Sequence, residues 1–119
     1  MKTLNVRIAS HADTKSRVLR AAQQARTGEA VAVDPSLNFL SYDDMHRVLA
    51  PSRLAIVKAL AGQGALSIRE VARRVGRDVQ AVHRDVTTLI NAGVIDKREQ
   101  GISFPYERIH FDFDVSVAT

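Results

Sequence analysis

Gln80, Arg84, Thr87, Thr88 and Asn91 recur on one side of a helical sweep from Val79 to about Ala92. At 100° per residue they lie opposite Val79, Val82, Val86, Leu89 and Ile90, which share one sector. Side chains of the first set hydrogen-bond; none is a nucleophile paired with a base. Arg, Gln, Asn and Thr are the residues that read base edges, whereas a merely solvated helix is usually richer in Glu and Lys. An ordinary polar helix surface is the plainer interpretation of the same row.

The elements around this helix are those needed to present it. Ser67, with Glu70 three residues on, predicts a capping box that starts a helix burying Ile68, Val71, Ala72 and Val75 and stopping at Gly76. Asp78 is an N-cap for the next helix. Gly93 closes it, Val94 to Arg98 predicts a strand, and Glu99-Gln100-Gly101 a turn. The alternation of Ile109, Phe111, Phe113 and Val115 with His110, Asp112 and Asp114 predicts the return strand. Two helices, a tight turn and a β-hairpin make a winged helix-turn-helix. The expected fold class is α+β: a mostly helical winged helix-turn-helix with a C-terminal β-hairpin wing and an N-terminal strand-helix extension.

The stretch "SIREVARRVGRDVQAVHRDVTTLINAGVI" resembles the core of MarR-like winged-helix regulators. "REVARRVG" matches the positioning helix and "LINAGVI" the passage into the wing. Together with "MKTLNVRIAS", "LSYDDMHRVLAPSRLAIVKAL" and "PYERIHFDF", nearly the whole chain is similar to small DNA-binding regulators, some of them TumA-type antitoxins of toxin–antitoxin operons. The resemblance implies DNA contacts, by position, at Arg77, Gln80, Arg84 and Thr88.

Around those four, the expected interface adds Ser67, Arg69, Arg73, Arg74, Ala81, His83, Thr87, Lys97 and Arg98. Several have a second reading. Arg73 and Arg74 either meet phosphates or favour a helix C-terminus by charge–dipole attraction. Lys97 and Arg98 either reach the minor groove or guard a hairpin edge against pairing. His83, toward the buried edge of its helix, either packs or touches phosphate. Arg84 either reads a base, touches phosphate, or pairs with Asp85 or Asp78.

Upstream, Leu4, Val6 and Ile8 alternate with polar residues as in a half-buried strand, and Ala12 to Arg26 has helical periodicity with Val18, Leu19, Ala22 and Ala25 on one face. Residues 1–36 are read as an N-terminal strand-helix element and 37–119 as the winged helix-turn-helix domain. Leu4, Val6, Ile8, Val18, Leu19, Ala22 and Ala25 are the expected dimerisation residues, although the helix could simply pack on its own domain. Short strands are possible at Ala30–Val33 and Leu37–Leu40. Ser41 with Asp44 predicts a capped helix carrying Met45, Val48 and Leu49. Pro51 ends it and starts another that turns Leu54, Val57, Leu60 and Ala61 inward.

The 119 residues are 45% hydrophobic, enough for a real core without Trp, and the formal charge of +4 comes mostly from arginine. Arg suits planar recognition of phosphate and guanine. The absence of Cys excludes disulfides and thiolate chemistry. No apolar run suits a membrane span, and the N-terminus lacks the pattern of a signal peptide, so a cytoplasmic protein with no membrane partner is expected. His11, His46, His83 and His110 lack metal-ligand spacing, and Gly62-Gln63-Gly64 lacks the rest of a phosphate-cradling loop. Asp112 and Asp114 have no nearby nucleophile–base partner and fit a solvated strand face. Neither enzyme activity, a metal nor any cofactor is expected.

The expected function is sequence-specific binding of double-stranded DNA by a homodimeric transcriptional regulator, an autorepressor, with a cognate toxin as a further partner if it is an antitoxin. The alternative is a winged-helix protein–protein interaction module without specific DNA binding.

Overall fold

The computed structural model describes residues 2–8 and 35–114. The expected helix bearing Val18, Leu19, Ala22 and Ala25 lies outside those residues, as do the possible strand at Ala30–Val33 and Val115.

The described elements run β1 (Thr3–Ile8), β2 (Ser36–Phe39), α1 (Tyr42–Val48), α2 (Pro51–Leu60), α3 (Ile68–Val75), α4 (Val79–Asn91), β3 (Asp96–Arg98), β4 (Gly101–Ser103) and β5 (Arg108–Asp112). The architecture is α+β and winged-helix-like. Helix boundaries follow local chemistry. The Ser41 hydroxyl accepts from the Asp44 amide and the Ser67 hydroxyl from the Glu70 amide, each at 3.1 Å. Pro51 occupies the first turn of α2, where its missing N–H leaves no gap.

The core is aliphatic. Ile56, Val57 and Leu60 of α2, Val71 and Ala72 of α3, and Val82, Val86 and Leu89 of α4 are buried together with Val94, Ile95 and Ile102. Full burial of side chains of this size is worth about 1.5–3 kcal/mol each. Val79, expected to face inward, is instead exposed at the first position of α4, before the helix has turned toward the core.

The wing differs from its expected form. β3 pairs antiparallel with β4, Asp96 opposite Ser103 and Arg98 opposite Gly101, so the turn is only Glu99-Gln100. The return strand is therefore Gly101–Ser103, not the 109–115 stretch. Period-2 alternation marked that stretch as a strand but could not say which strand it pairs with. On its other side β4 meets Leu66, whose amide donates to the Ile102 carbonyl at 2.9 Å while the Ile102 amide donates back at 2.8 Å. The wing root is thereby tied to the loop that leads into α3.

β5 instead lies parallel to β1, Thr3 opposite Arg108 and Arg7 opposite Asp112, in a three-stranded sheet ordered β2-β1-β5. One face carries Leu4, Val6, Ile109 and Phe111, and the other Thr3, Asn5, Arg108 and Asp112. This sheet joins residues from both sides of the expected boundary at residue 36, because β1 sits between strands that follow it in sequence. Leu4 and Val6, expected at a dimer face, are 2% and 0% exposed and belong to the chain's own core. Their apolar alternation is that of a strand with one face, shared with Ile109 of β5, turned to the apolar core. Ile8 is half-buried.

Candidate nucleic-acid interface

α3 and α4 meet at a turn whose backbone is strongly specified. Gly76 takes φ 68°, the left-handed conformation that ends a helix, and the Arg77 amide reaches back to the Ala72 carbonyl at 3.1 Å. Asp78 then starts α4: one carboxylate oxygen accepts from the amides of Gln80 and Ala81 at 3.0 and 3.2 Å. A carboxylate there satisfies amides that the helix leaves unpaired and complements the helix dipole.

An ion cluster fixes the pose of α4. Asp85, its side chain only 14% exposed, accepts from Arg53 Nε at 3.1 Å and from Arg77 at 2.8 Å. Arg53 also donates to the carbonyls of Arg47 and Val48 at the end of α1. One carboxylate thus links α4 to α2 and to the turn, and through Arg53 to α1. This positioning pair was not found from the sequence. The available signal was Asp85 itself, an acid one turn before Leu89 and three residues after Val82, on the apolar side of its helix.

The outward row of α4 is Gln80, His83, Arg84, Thr87 and Asn91, all exposed, with Ala81 and Thr88 half-buried at its margins. His83 therefore stands in the exposed row, not toward the buried edge: it lies three residues from Gln80 and four from Thr87, on the same face. Thr87 donates its hydroxyl proton to the His83 carbonyl at 2.9 Å and Thr88 to the Arg84 carbonyl at 3.2 Å. With those protons committed along the helix, each hydroxyl presents lone pairs and each side chain a methyl group. Among the described residues Arg84 has no acidic partner, because Asp78 caps the helix and Asp85 faces Arg53 and Arg77.

The other expected contacts fall into separate groups. Arg69, Arg73, Arg77 and Val79 line one shallow hollow between α3 and the start of α4. Arg74 does not line it, and donates to Glu70, itself in the wall of the hollow, at 2.9 Å and to Gln63 at 3.0 Å. Arg73 Nε donates to the same Glu70 carboxylate at 3.0 Å. Hydrogen bonds from Arg73 and then Arg74 lower the Glu70 pKa to about 2. Ser67 is occupied as a helix cap. On the wing, Lys97 and Arg98 are exposed; Arg98 lies 3.8 Å from Asp96 and borders a different hollow, beside Gly64 and Ser103. Asp112 is exposed, as on a solvated strand face, and meets Arg7 at 3.3 Å. The described residues hold no cluster of three or more metal-ligating side chains, and none of their helices is long and apolar enough to cross a membrane.

A helix pair locked by a tight turn, backed by α2 and followed by a hairpin tied to its base, is the frame of a winged-helix protein. The chain belongs to the HVO_A0114 family, whose model matches residues 48–111, from the end of α1 almost to the end of β5. Among solved structures it is similar to "Crystal structure of the predicted DNA-binding transcriptional regulator from E. coli", at 20% identity and a TM-score of 0.49, over 77% of this chain and 84% of that one. No curated protein matches it.

Proposed function

We propose that this chain binds double-stranded DNA as a homodimeric transcriptional regulator, with α4 in the major groove. The observation that carries the proposal is the outward row of α4. It combines an arginine without an acidic partner among the described residues, two amides, an imidazole and a threonine, with Thr88 at its margin, on a helix whose orientation Asp85 and Asp78 fix. Arg84 would reach a guanine edge, Gln80 an adenine, and the exposed Val79 and the threonine methyls suit thymine methyl groups. Arg69, Arg73 and Arg77, which share a hollow beside the first turn of α4, would meet the flanking phosphates, as would the exposed Lys97 and Arg98 of the wing. Phosphate contacts supply the salt-sensitive part of the affinity and the α4 row the sequence preference.

One helix reads only a few base pairs, so useful specificity calls for two copies on a two-fold site. Within this reading the chain represses its own promoter, and the resemblance to TumA-type antitoxins makes a toxin encoded beside it the natural protein partner. The test is a gel-shift titration on the DNA just upstream of its own gene, against an unrelated fragment, at several salt concentrations. Preferential, salt-sensitive binding to the upstream fragment is expected. Equal, weak binding to both would remove the reading and leave a protein-docking winged helix in its place.

A further inference from the structure

β5 is an edge strand. β1 occupies one of its sides, and among the described residues nothing pairs with the other. Between β5 and α2 lies an apolar groove of about 270 Å³, walled by Leu54, Val57, Lys58 and Ala61 of α2 and by Ile109 and Phe111 of β5 itself. Phe111 stands 40% exposed at its rim. A cavity of about 150 Å³ accepts a benzene ring, so a groove of this size has room for an aromatic side chain. Open edges with apolar flanks are templates for another strand, and proteins normally blunt them. Here there is no Pro or Lys in β5, whose sequence is Arg108-Ile109-His110-Phe111-Asp112.

That sequence is complementary to itself read backwards. Set antiparallel to a second copy about a two-fold axis at His110, Arg108 falls opposite Asp112 of the second copy, and Ile109 opposite its Phe111. Each pair occurs twice by symmetry. Arg108 and Asp112 share one face of the sheet, since Arg108 donates to Thr3 and Asp112 pairs with Arg7, while Ile109 and Phe111 share the other. Opposite charges directly across an antiparallel pair stabilise it, and an aromatic ring beside a β-branched side chain does the same. The apolar pair of the incoming strand would enter the groove against α2.

We infer that the β5 edge is a homodimer interface, at which two copies of this chain join their sheets into one six-stranded sheet centred on His110. The inference rests on the reading that the protein acts as a dimer, and it assigns the dimer to a different surface from the N-terminal residues expected from the sequence. None of the residues named at this interface belongs to the outward row of α4.

Two single variants and their mixture test it, with mass read by sedimentation equilibrium on the full chain and fold checked by circular dichroism. Arg108→Asp sets acid against acid across the two-fold, and Asp112→Arg sets base against base. Each variant alone is expected to weaken the dimer more than tenfold. Mixed in equal amounts, the two are expected to restore a two-chain mass as a heterodimer, a recovery that a misfolded variant could not give. A wild-type chain that stays monomeric overturns both this interface and the dimer reading. Single variants that remain dimers, or a mixture that stays monomeric, overturn the interface while leaving open a dimer through another surface. Gel shift of the same variants reads DNA binding independently.

Discussion

Arg77 and Asp85 lie 2.8 Å apart, one in the turn before α4 and the other in its middle, and Arg53 approaches the same carboxylate at 3.1 Å from α2. Arg77, expected to touch DNA directly, is thus also part of what holds α4 in place. Removing Asp85 takes the carboxylate from two partly buried guanidiniums, leaving Arg53 only the carbonyls of Arg47 and Val48. Asp85→Ala is expected to cost about 2 kcal/mol, within the range for stranding a charged hydrogen-bonding group, as a lowered urea midpoint with an unchanged slope. A midpoint equal to wild type would show that the cluster does not hold the helix.

Gly76 and Gly101 separate two kinds of glycine requirement. A Cβ on Gly76 would meet nothing within 4 Å, so only the backbone conformation opposes Gly76→Ala, at about 1 kcal/mol. A Cβ on Gly101 would stand 2.3 Å from the Leu66 carbonyl oxygen, the acceptor that ties the wing to the loop before α3. Gly101→Ala is therefore expected to be the more damaging of the two in thermal unfolding, and to increase hydrogen exchange at the Ile102 amide. The reverse order would contradict the placement of β4.

Glu70 gives an acid-side signature. Its carboxyl titrates at about 2, below the ordinary 4.5, because Arg73 and Arg74 donate to its charged form. A depressed carboxyl contributes stability that is fully present above pH 4.5 and is lost as pH falls toward 2. The contribution is small because the pair is exposed and screened. Between those limits, the unfolding midpoint of Glu70→Gln is expected to converge on that of wild type as pH falls. The same variant frees Arg73, one of the proposed phosphate contacts, from its counter-charge, so under the proposed function it should bind DNA several-fold more tightly at low salt. Unchanged binding would place Arg73 outside the interface.

How far the sequence could be read depended on whether the signal was local. Helix caps at Ser41, Ser67 and Asp78, the stop at Gly76 and the inward sets of α3 and, apart from Val79, of α4 are legible because each is set within one or two turns of chain. Strand partners are not. Ile109 and Phe111 alternate equally well in a wing or beside β1, and only the three-dimensional arrangement places them next to Leu4 and Val6. The Arg53–Asp85 pair spans 32 positions, and no spacing rule reaches that far. Within the candidate interface, Gln80, Arg84, Thr87 and Asn91 are legible as an exposed row, whereas Thr88 is half-buried and His83, whose angle on the helix is close to the boundary between the two faces, is exposed.

The most direct test of the account compares Arg84→Ala with Lys97→Ala by fluorescence anisotropy, on the preferred DNA site and on a scrambled version of it. Arg84→Ala is expected to cost about 1–3 kcal/mol on the preferred site and little on the scrambled one, collapsing the preference. Lys97→Ala should weaken both by a similar factor and make the salt dependence shallower. If Arg84→Ala leaves the preference between the two DNAs unchanged, the outward row of α4 does not read sequence, and the central claim is wrong.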